Sequence, residues 1–360
     1  MKTKLRSSIL LLLAAVFTAG MIASCSDDGD KTPPADKTVL KASITEATTL
    51  LSVSVEGTIE GQYQTGSKAI LQTAVTASQA VVDDASATQT AVDNTNVALQ
   101  AAIATFKTKV VAAIAPENLL AYWKFDEGTG TVANDASANK LNGTLTVGHA
   151  SLGGPVPSWS ADRKGVANKA LHFTKGGHIE VPSNAKFGPT ELSISVWIKM
   201  DSLGTADCTK FGDRCNKGTF KDNYILAQNS YNGYKFQTQD DRYPFLTVKK
   251  STSPDAYIDQ AANTNIPLKQ WHHVAVTFKN GEMKFYIDGV DASKNETITG
   301  TFITLTERYD FVIGAELPNA KVDPNISWVL PHFEGSMDEL RMYNKVLTAS
   351  QIQGIYNQEK

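Results

Sequence analysis

Two patterns of apolar residues divide the chain. Between residues 37 and 115 the apolar positions recur every three or four residues, which is the period of a helix that buries one face. From residue 118 onward, apolar and polar residues alternate in short runs separated by Gly, Asn, Asp and Pro, which is typical of antiparallel strands. The pattern therefore predicts a small helical module followed by a larger β domain.

The helical stretch predicts three helices with apolar residues on one face of each. Those residues are Leu40, Ile44, Ala47 and Leu51, then Ile70, Leu71, Ala74, Val75 and Val81, then Val92, Leu99, Ile103, Phe106 and Val110. Ser67 is the expected cap of the second helix, and Ser86 or Thr88 that of the third. We expect Pro116 to end the third helix, because proline cannot continue the hydrogen-bond ladder. Short links between three helices favour an up-down-up bundle.

The segment 118–360 predicts a single β-sandwich. Residues 192–200 show the clearest alternation, and Asn280-Gly281 lies between two further runs as a two-residue hairpin signal. Many short strands in one segment favour a sandwich over two separate domains. The chain is expected to close with a short helix over 348–357, capped by Thr348 and docked through Ile352 and Tyr356.

The first 24 residues predict an export signal. A positively charged start precedes an unbroken apolar run from Ile9 to Val16. The run is shorter than the roughly 20 residues that span a bilayer, so a membrane-anchor helix is the less favoured alternative.

The residues that follow the apolar run resemble a bacterial lipobox. They read Ile22-Ala23-Ser24-Cys25, and the acidic Ser26-Asp27-Asp28-Gly29-Asp30 behind them resembles the export tag of Bacteroidetes-type surface lipoproteins. The resemblance implies that residues 1–24 are removed, that Cys25 is lipidated, and that 25–36 form a polar tether. It places the protein at the outer membrane, facing the cell exterior and held by a lipid anchor only.

The net charge of the mature chain bears on which partners are expected. Removal of residues 1–24 takes away three of the 34 basic residues and none of the 37 acidic ones, which leaves a net charge of −6. We therefore do not expect nucleic acid as a partner, because such binders carry a basic domain or stripe.

Cys208 and Cys215 flank a polar loop, and export to an oxidising compartment favours a disulfide between them over free thiols.

The helical segment resembles a known bacterial module. The matching residues are Gly61-Gln62-Tyr63, Ala69-Ile70-Leu71, Ala87-Thr88-Gln89 and Val92-Asp93. Their order is similar to that of the FIVAR module, a helical repeat of bacterial surface proteins. An unrelated stalk with the same architecture is the alternative, and either would act as a spacer.

The β segment resembles a second family through several ordered motifs. They include Tyr122-Trp123-Lys124-Phe125-Asp126-Glu127-Gly128-Thr129-Gly130, Ala170-Leu171-His172-Phe173, Trp271-His272-His273-Val274-Ala275 and Gly335-Ser336-Met337-Asp338-Glu339-Leu340. They are similar to the laminin G-like, concanavalin A-like jelly roll. The resemblance implies a mainly β fold, an antiparallel β-sandwich jelly roll with sheets of about six or seven strands, behind the three-helix bundle.

The sequence lacks the catalytic motifs that are typical of hydrolases of this class. The Glu-x-Asp-x-x-Glu strand of related glycosidases does not occur. The nearest pair, Asp338-Glu339, is expected to point to opposite faces of its strand. There is no Gly-x-Ser-x-Gly elbow, and His272 and His273 are expected to be structural. We therefore expect no catalytic residues, although a distant triad is not ruled out by sequence.

Calcium is the cofactor that the resemblance suggests. Asp135 and Asp338 match acids that join a structural calcium in similar jelly rolls, and Asp126 is a weaker candidate. The alternative is that these acids cap turns.

Aromatic side chains outside the core motifs are the candidate carbohydrate contacts. Sugar rings stack on exposed aromatic rings, while amides and carboxylates fix the hydroxyl groups. The candidates are Trp159, Tyr231, Tyr234, Asp241, Arg242, Tyr243 and Trp328. Trp159 and Trp328 could instead cover the edges of the sandwich.

The favoured function is a non-catalytic surface lipoprotein that binds an extracellular glycan or polysaccharide. The alternative is an adhesin or assembly component that contacts envelope or host proteins, because fold alone does not settle function. A glycoside hydrolase with an unrecognised site is a third possibility.

Overall fold

The computed structural model describes residues 33–202, 223–239, 241–250, 256–279, 281–294, 308–322 and 332–360, and the single residues 296, 298 and 305. Cys25, Cys208, Cys215 and Trp328 lie outside the described residues. Lipidation, the disulfide and the role of Trp328 therefore stay predictions.

Three helices form an antiparallel bundle at the start of the described chain. They are α1 (Thr38–Val53), α2 (Ser67–Asp83) and α3 (Gln89–Lys107). The bundle buries the expected face of each helix around Leu40, Ala47, Leu51, Leu71, Val75, Val92, Leu99, Ile103 and Phe106. Ile70 and Val110 are exposed, contrary to expectation. No helix of the described chain is both long and apolar enough to cross a membrane.

The start of α2 and the end of α3 differ from the positions that the sequence predicts. Ser67 is the first residue of α2 rather than its cap, and the Glu56 carboxylate accepts the Lys68 N–H at 2.6 Å instead. Thr88 caps α3, with its hydroxyl accepting the Ala91 N–H at 3.2 Å. That helix ends at Lys107, well before Pro116, because the following backbone hydrogen-bonds with the α1–α2 loop rather than with itself.

Two antiparallel sheets form the rest of the molecule. The described strands are β1 (Leu119–Trp123), β2 (Val132–Ala133), β3 (Gly143–Thr146), β4 (Ser158–Ser160), β5 (Ala170–Phe173), β6 (His178–Val181), β7 (Leu192–Met200), β8 (Asn223–Gln228), β9 (Tyr234–Gln239), β10 (Tyr243–Lys249), β11 (Tyr257–Ala261), β12 (His272–Lys279), β13 (Glu282–Ile287), β14 (Val290–Asp291), β15 (Phe311–Ile313) and β16 (Gly335–Tyr343). Sheet one has the order β14-β13-β12-β7-β16-β5-β4, with β1 also paired to β16. Sheet two has the order β11-β10-β9-β8-β15-β6-β3-β2. Each sheet has eight strands, more than expected, and the predicted sandwich is confirmed.

The core lies between the sheets and is rich in aromatic rings. Trp123 stacks on Phe311 with ring centroids 5.9 Å apart, and Phe311 stacks on Phe187 at 4.4 Å. Trp123 and Phe311 are inaccessible to solvent, and the Trp123 indole N–H donates to the Leu141 carbonyl at 3.0 Å. The inner faces of both sheets are therefore committed to packing.

A helix at the end of the chain covers the outer face of sheet one. This helix, α4 (Ala349–Glu359), begins with a capping box between Thr348 and Gln351. Ile352 is buried, and Tyr356 stacks on Trp197 with a centroid distance of 5.6 Å. The predicted cap and docking residues of this helix are confirmed.

A β-bulge in β16 corrects the expected orientation of Asp338 and Glu339. The register of β16 on β7 shifts between Asp338 and Arg341, and Glu339 has a φ of 55°. Such a bulge breaks the strand's alternation, so that neighbouring side chains no longer point to opposite faces. Both carboxylates consequently reach Arg163 on the outer side of sheet one.

Candidate functional site

The outer face of sheet two carries polar and aromatic side chains, of which Tyr224, Lys235, Gln237 and Thr247 are buried and Tyr231 is exposed. Strand pairing places Lys235, Thr247 and Asp259 in one row, because Thr247 is the register partner of both of its neighbours. A second row joins Tyr224 and Gln237. We call this surface the aromatic face; it comprises Tyr224, Tyr231, Lys235, Gln237, Tyr243, Thr247, Tyr257 and Asp259.

Lys235 organises the aromatic rings of this face. Its ammonium donates to the Tyr224 hydroxyl at 2.7 Å and lies 3.6 Å from the centroid of the Tyr231 ring. The Tyr231 and Tyr257 rings are 5.5 Å apart and inclined at 57°. Tyr231 remains 45% exposed. The cation therefore fixes the position of an accessible ring, which is the arrangement that stacking on a sugar requires.

Gln237 adds an unsatisfied acceptor to the same face. The residue is 1% exposed, and its Oε1 atom has no hydrogen-bond partner among the residues that the structure describes. Its position two residues from Lys235 on β9 places both side chains on one side of the sheet. Because buried polar atoms are almost always hydrogen-bonded, this oxygen marks a place for a buried donor such as a water molecule.

The structure separates the predicted sugar contacts. Tyr231 lies on the aromatic face, and the half-buried Tyr243 joins it from β10. The exposed Asp241 and the half-buried Arg242 form the turn before that strand, where Arg242 has a φ of 72°. The prediction that Tyr234 contacts sugar is wrong, because this residue is 1% exposed and belongs to the core. Tyr234 and Lys235 are adjacent on a strand and therefore face opposite sides of the sheet.

Trp159 lies apart from the aromatic face. It is on β4, an edge strand of sheet one, and packs against the core. Its indole N–H donates to the Gly130 carbonyl at 3.2 Å. Trp159 therefore covers the edge of the sandwich, which was the alternative role considered for it. Sequence reasoning missed Tyr257 and Asp259, although their spacing of two on a short polar strand signals a shared face.

A buried ionic network lies between sheet one and α4. Arg163 contacts Asp338, and its Nε donates to the Glu359 carbonyl oxygen at 2.7 Å. The Glu359 carboxylate accepts from the Trp197 indole at 2.7 Å and from Arg341. Arg341 also contacts the Glu339 carboxylate at 3.0 Å. We call these five charged residues, Arg163, Asp338, Glu339, Arg341 and Glu359, the ionic network.

Burial decides the protonation behaviour of this network. It raises the pKa of Asp338 to about 7 in spite of the neighbouring Arg163, and it also raises the pKa of Glu359. In the folded state, Asp338 and Glu359 therefore keep their protons up to a higher pH than they do in the unfolded chain.

We expect the stability of the protein to fall as the pH rises through this range. An unfolded aspartate titrates near 3.9, so the folded state binds the extra proton between about pH 4 and 7, and the free energy of unfolding declines over that interval. The contribution of Asp338 is at most about 4 kcal/mol, because one pKa unit corresponds to about 1.4 kcal/mol. Urea unfolding at pH 5 and pH 8 should show a smaller decline for Asp338→Asn than for the parent. The exposed Asp83→Asn is the control, and equal declines in both variants would contradict the assignment.

Ser195 and His273 form a second polar pair on sheet one. The Ser195 hydroxyl lies 2.8 Å from His273 Nε2, and both residues are inaccessible to solvent. Burial lowers the pKa of His273 to about 3, so the ring is neutral. Asp288 accepts the His273 backbone N–H at 3.0 Å and contacts the ring of His272 at 2.8 Å rather than that of His273. The pair braces adjacent strands, in line with the structural role expected for these histidines.

The three predicted calcium ligands have protein partners. Both Asp135 carboxylate oxygens accept hydrogen bonds from loop and strand donors, at 2.7–2.8 Å. Asp338 pairs with Arg163, and Asp126 is 3.5 Å from Lys169 Nζ. Within the described part of the chain, no group of three or more His, Cys, Asp or Glu side chains is placed to hold a metal ion. Calcium binding stays a prediction.

The chain belongs to the concanavalin A-like lectin/glucanases superfamily, whose family model matches residues 173–353, just over half of the sequence. No curated protein matches it. The superfamily description names both sugar-binding and sugar-cleaving proteins, so membership alone does not separate the two activities.

Several solved structures are similar to this chain. Domain 4 of AbnA, a GH43 extracellular arabinanase from Geobacillus stearothermophilus in complex with arabinotriose, is 23% identical, with 66% of this chain and 98% of that chain covered and a TM-score of 0.47. The binding domain of Paraclostridial Mosquitocidal Protein 1 is 16% identical, with coverages of 68% and 52% and a TM-score of 0.44. A Trypanosoma rangeli sialidase is 15% identical, with coverages of 69% and 34% and a TM-score of 0.44.

Proposed function

We propose that this protein binds extracellular carbohydrate at the cell surface without cleaving it, and that the aromatic face is its binding surface. The observation that carries the proposal is the accessible Tyr231 ring, which Lys235 contacts on one side and which lies 5.5 Å from the Tyr257 ring. Membership of a superfamily that includes lectins supports it.

The aromatic face offers both kinds of contact that a sugar needs. The Tyr231 and Tyr257 rings present apolar surface to the C–H face of a pyranose or furanose ring. Asp259 is exposed at the same edge and can accept hydrogen bonds from hydroxyl groups, whereas Gln237 is buried on the same side of the sheet. Apolar area with a few directional polar groups is the usual composition of a ligand site.

Replacement of Tyr231 by Ala should weaken glycan binding about tenfold, because loss of a stacked ring removes about 1.4 kcal/mol or more. Affinity electrophoresis of the purified chain in gels that contain soluble polysaccharides measures the change. Val290→Ala, an exposed apolar residue of sheet one, is the matched control and should migrate like the parent. Equal retardation of all three proteins would remove Tyr231 from the site.

The carboxylates of the ionic network support a non-catalytic function. A glycosidase needs one carboxyl group as the acid and a second as nucleophile or base, both open to substrate. Asp338 is 1% exposed, and Arg163 and Arg341 occupy the carboxylates on this side of the sheet. Release of reducing sugar from a bound polysaccharide, abolished by Asp338→Asn, would overturn this part of the proposal.

The helical module favours a second candidate function, contact with another protein. It exposes several aliphatic side chains, among them Val39, Val53, Ile70 and Val97. Apolar groups on a helical surface are suited to protein contacts. Cross-linking in intact cells with the parent and with Ile70→Ser would test this candidate, since a specific adduct of the parent should be lost in the variant.

The proposed location rests on the first 30 residues. The lipobox-like Cys25 and the acidic residues behind it support a lipid anchor at the outer membrane, with the FIVAR-like module as the adjoining segment. Metabolic labelling with a radioactive fatty acid should mark the parent and not Cys25→Ala. Equal labelling of both would refute the anchor.

A further inference from the structure

A crevice of about 250 Å³ lies between the helical module and the sandwich. Its walls come from both: Thr58 and residues 111–114 on one side, Tyr343 of β16 and Ile355 and Gln358 of α4 on the other. Neither the aromatic face nor the proposed function accounts for this space.

The walls of the crevice are held together by direct contacts between the modules. Gln351 Nε2 donates to the Ala112 carbonyl at 3.0 Å, and Asn357 Nδ2 donates to the Thr58 hydroxyl at 3.2 Å. A Cβ atom on Gly354 would lie 2.5 Å from the Thr58 carbonyl oxygen. Glycine inside a helix costs about 1 kcal/mol relative to alanine, and this close approach explains its presence. The helical module is therefore docked on α4, and the crevice is preformed.

The charges at the floor of the crevice are already paired. Arg341 contacts the carboxylates of Glu339 and Glu359, and Glu359 also accepts from Trp197. Glu60 lies at the rim, where it is exposed to solvent. An ionic ligand would have to compete with these internal pairs, so the floor favours a neutral one.

The remaining groups suit a small polyhydroxylated molecule. The Tyr343 hydroxyl and the Gln358 amide line the crevice and together offer hydrogen-bond donors and acceptors. Ile114 and Ile355 provide apolar wall for C–H groups. The volume is below the range of about 300–1,000 Å³ that is usual for drug-sized ligands, which limits the occupant to about the size of one sugar ring.

We propose that this crevice is a second binding site, for a neutral polyhydroxylated molecule of monosaccharide size, and that the helical module and the sandwich form it jointly. The module is then part of a binding site as well as a spacer. The proposal does not depend on sugar binding by the aromatic face.

Saturation-transfer NMR of the full chain in detergent tests the proposal. The probes are the methyl glycosides of glucose, galactose, mannose and arabinose, with glucuronate and glucosamine as charged analogues. We expect a neutral glycoside to bind at millimolar concentration. Gln358→Trp, which places a ring in the crevice, should abolish the signal, whereas Gln353→Trp on the same helix should retain it. The proposal is overturned if no neutral probe binds to the parent or if binding survives in Gln358→Trp.

Two further variants separate this site from the aromatic face. Tyr343→Phe removes one hydroxyl and should weaken the glycoside about 2- to 10-fold, the effect of one hydrogen bond. Tyr231→Ala should leave the crevice signal unchanged while polysaccharide retardation is weakened. A glycoside signal that disappears with Tyr231→Ala would assign it to the aromatic face and overturn the second site.

Discussion

Replacement of Asp135 by Ala is expected to lower the free energy of unfolding by about 3–5 kcal/mol, because several hydrogen bonds to one buried charged acceptor are lost together. Asp135 is 1% exposed, and its carboxylate accepts from the backbone N–H groups of Tyr122, Ser137 and Leu141 and from the Ser137 hydroxyl. The variant leaves all four donors without this acceptor in a buried loop, and an unsatisfied donor costs about 1–3 kcal/mol.

Urea unfolding followed by tryptophan fluorescence measures this loss. Asp126→Ala, which removes an exposed partner of Lys169, is the matched control and should change the free energy by less than about 1 kcal/mol. If Asp135→Ala were as stable as that control, the carboxylate would not brace the loop. Addition of calcium to the parent addresses the predicted cofactor separately, because a bound ion raises stability by mass action.

Replacement of Arg341 by Met is the second large effect that we expect, again about 3–5 kcal/mol, because it leaves the buried Glu359 carboxylate without its cation. Arg341 contacts Glu359, Glu339 and the Tyr122 hydroxyl. Methionine keeps an unbranched apolar stem and removes the guanidinium group, so the loss reports mainly on the ionic network rather than on packing.

A double-mutant cycle gives this prediction its control. Adding Glu359→Gln to Arg341→Met should recover part of the lost stability, because the carboxylate left without its cation is removed. Lys345→Met, which breaks an exposed pair with Glu191, should cost less than about 1 kcal/mol. Additive effects of the Arg341 and Glu359 substitutions would show that the two residues are not coupled.

Most of the fold follows from local pattern. The three-residue and four-residue spacing of apolar side chains located the three helices, and the Thr88 and Thr348 caps follow from their hydroxyl groups. Alternation located the central strands β7, β12 and β13. These features depend on neighbouring residues only, which is why a single sequence reveals them.

The candidate site was predicted less completely, because it depends on register. Tyr231 was found as an exposed aromatic, but Tyr234 was wrongly grouped with it until strand pairing placed that ring in the core. The residue types around Glu339 do not indicate a bulge. Because of this bulge, Asp338 and Glu339 lie on the same side of the sheet, whereas regular alternation predicts opposite sides. Contacts across long stretches of chain, such as Gly354 against Thr58, are equally invisible to local pattern.

The most direct test of carbohydrate binding is a glycan array probed with the purified protein, beside Tyr231→Ala/Tyr257→Ala. We predict that the parent binds at least one extracellular polysaccharide or host glycan, and that the double variant, with unchanged circular dichroism, loses that binding. A folded parent that binds no glycan, or a double variant that binds as well as the parent, would contradict the account.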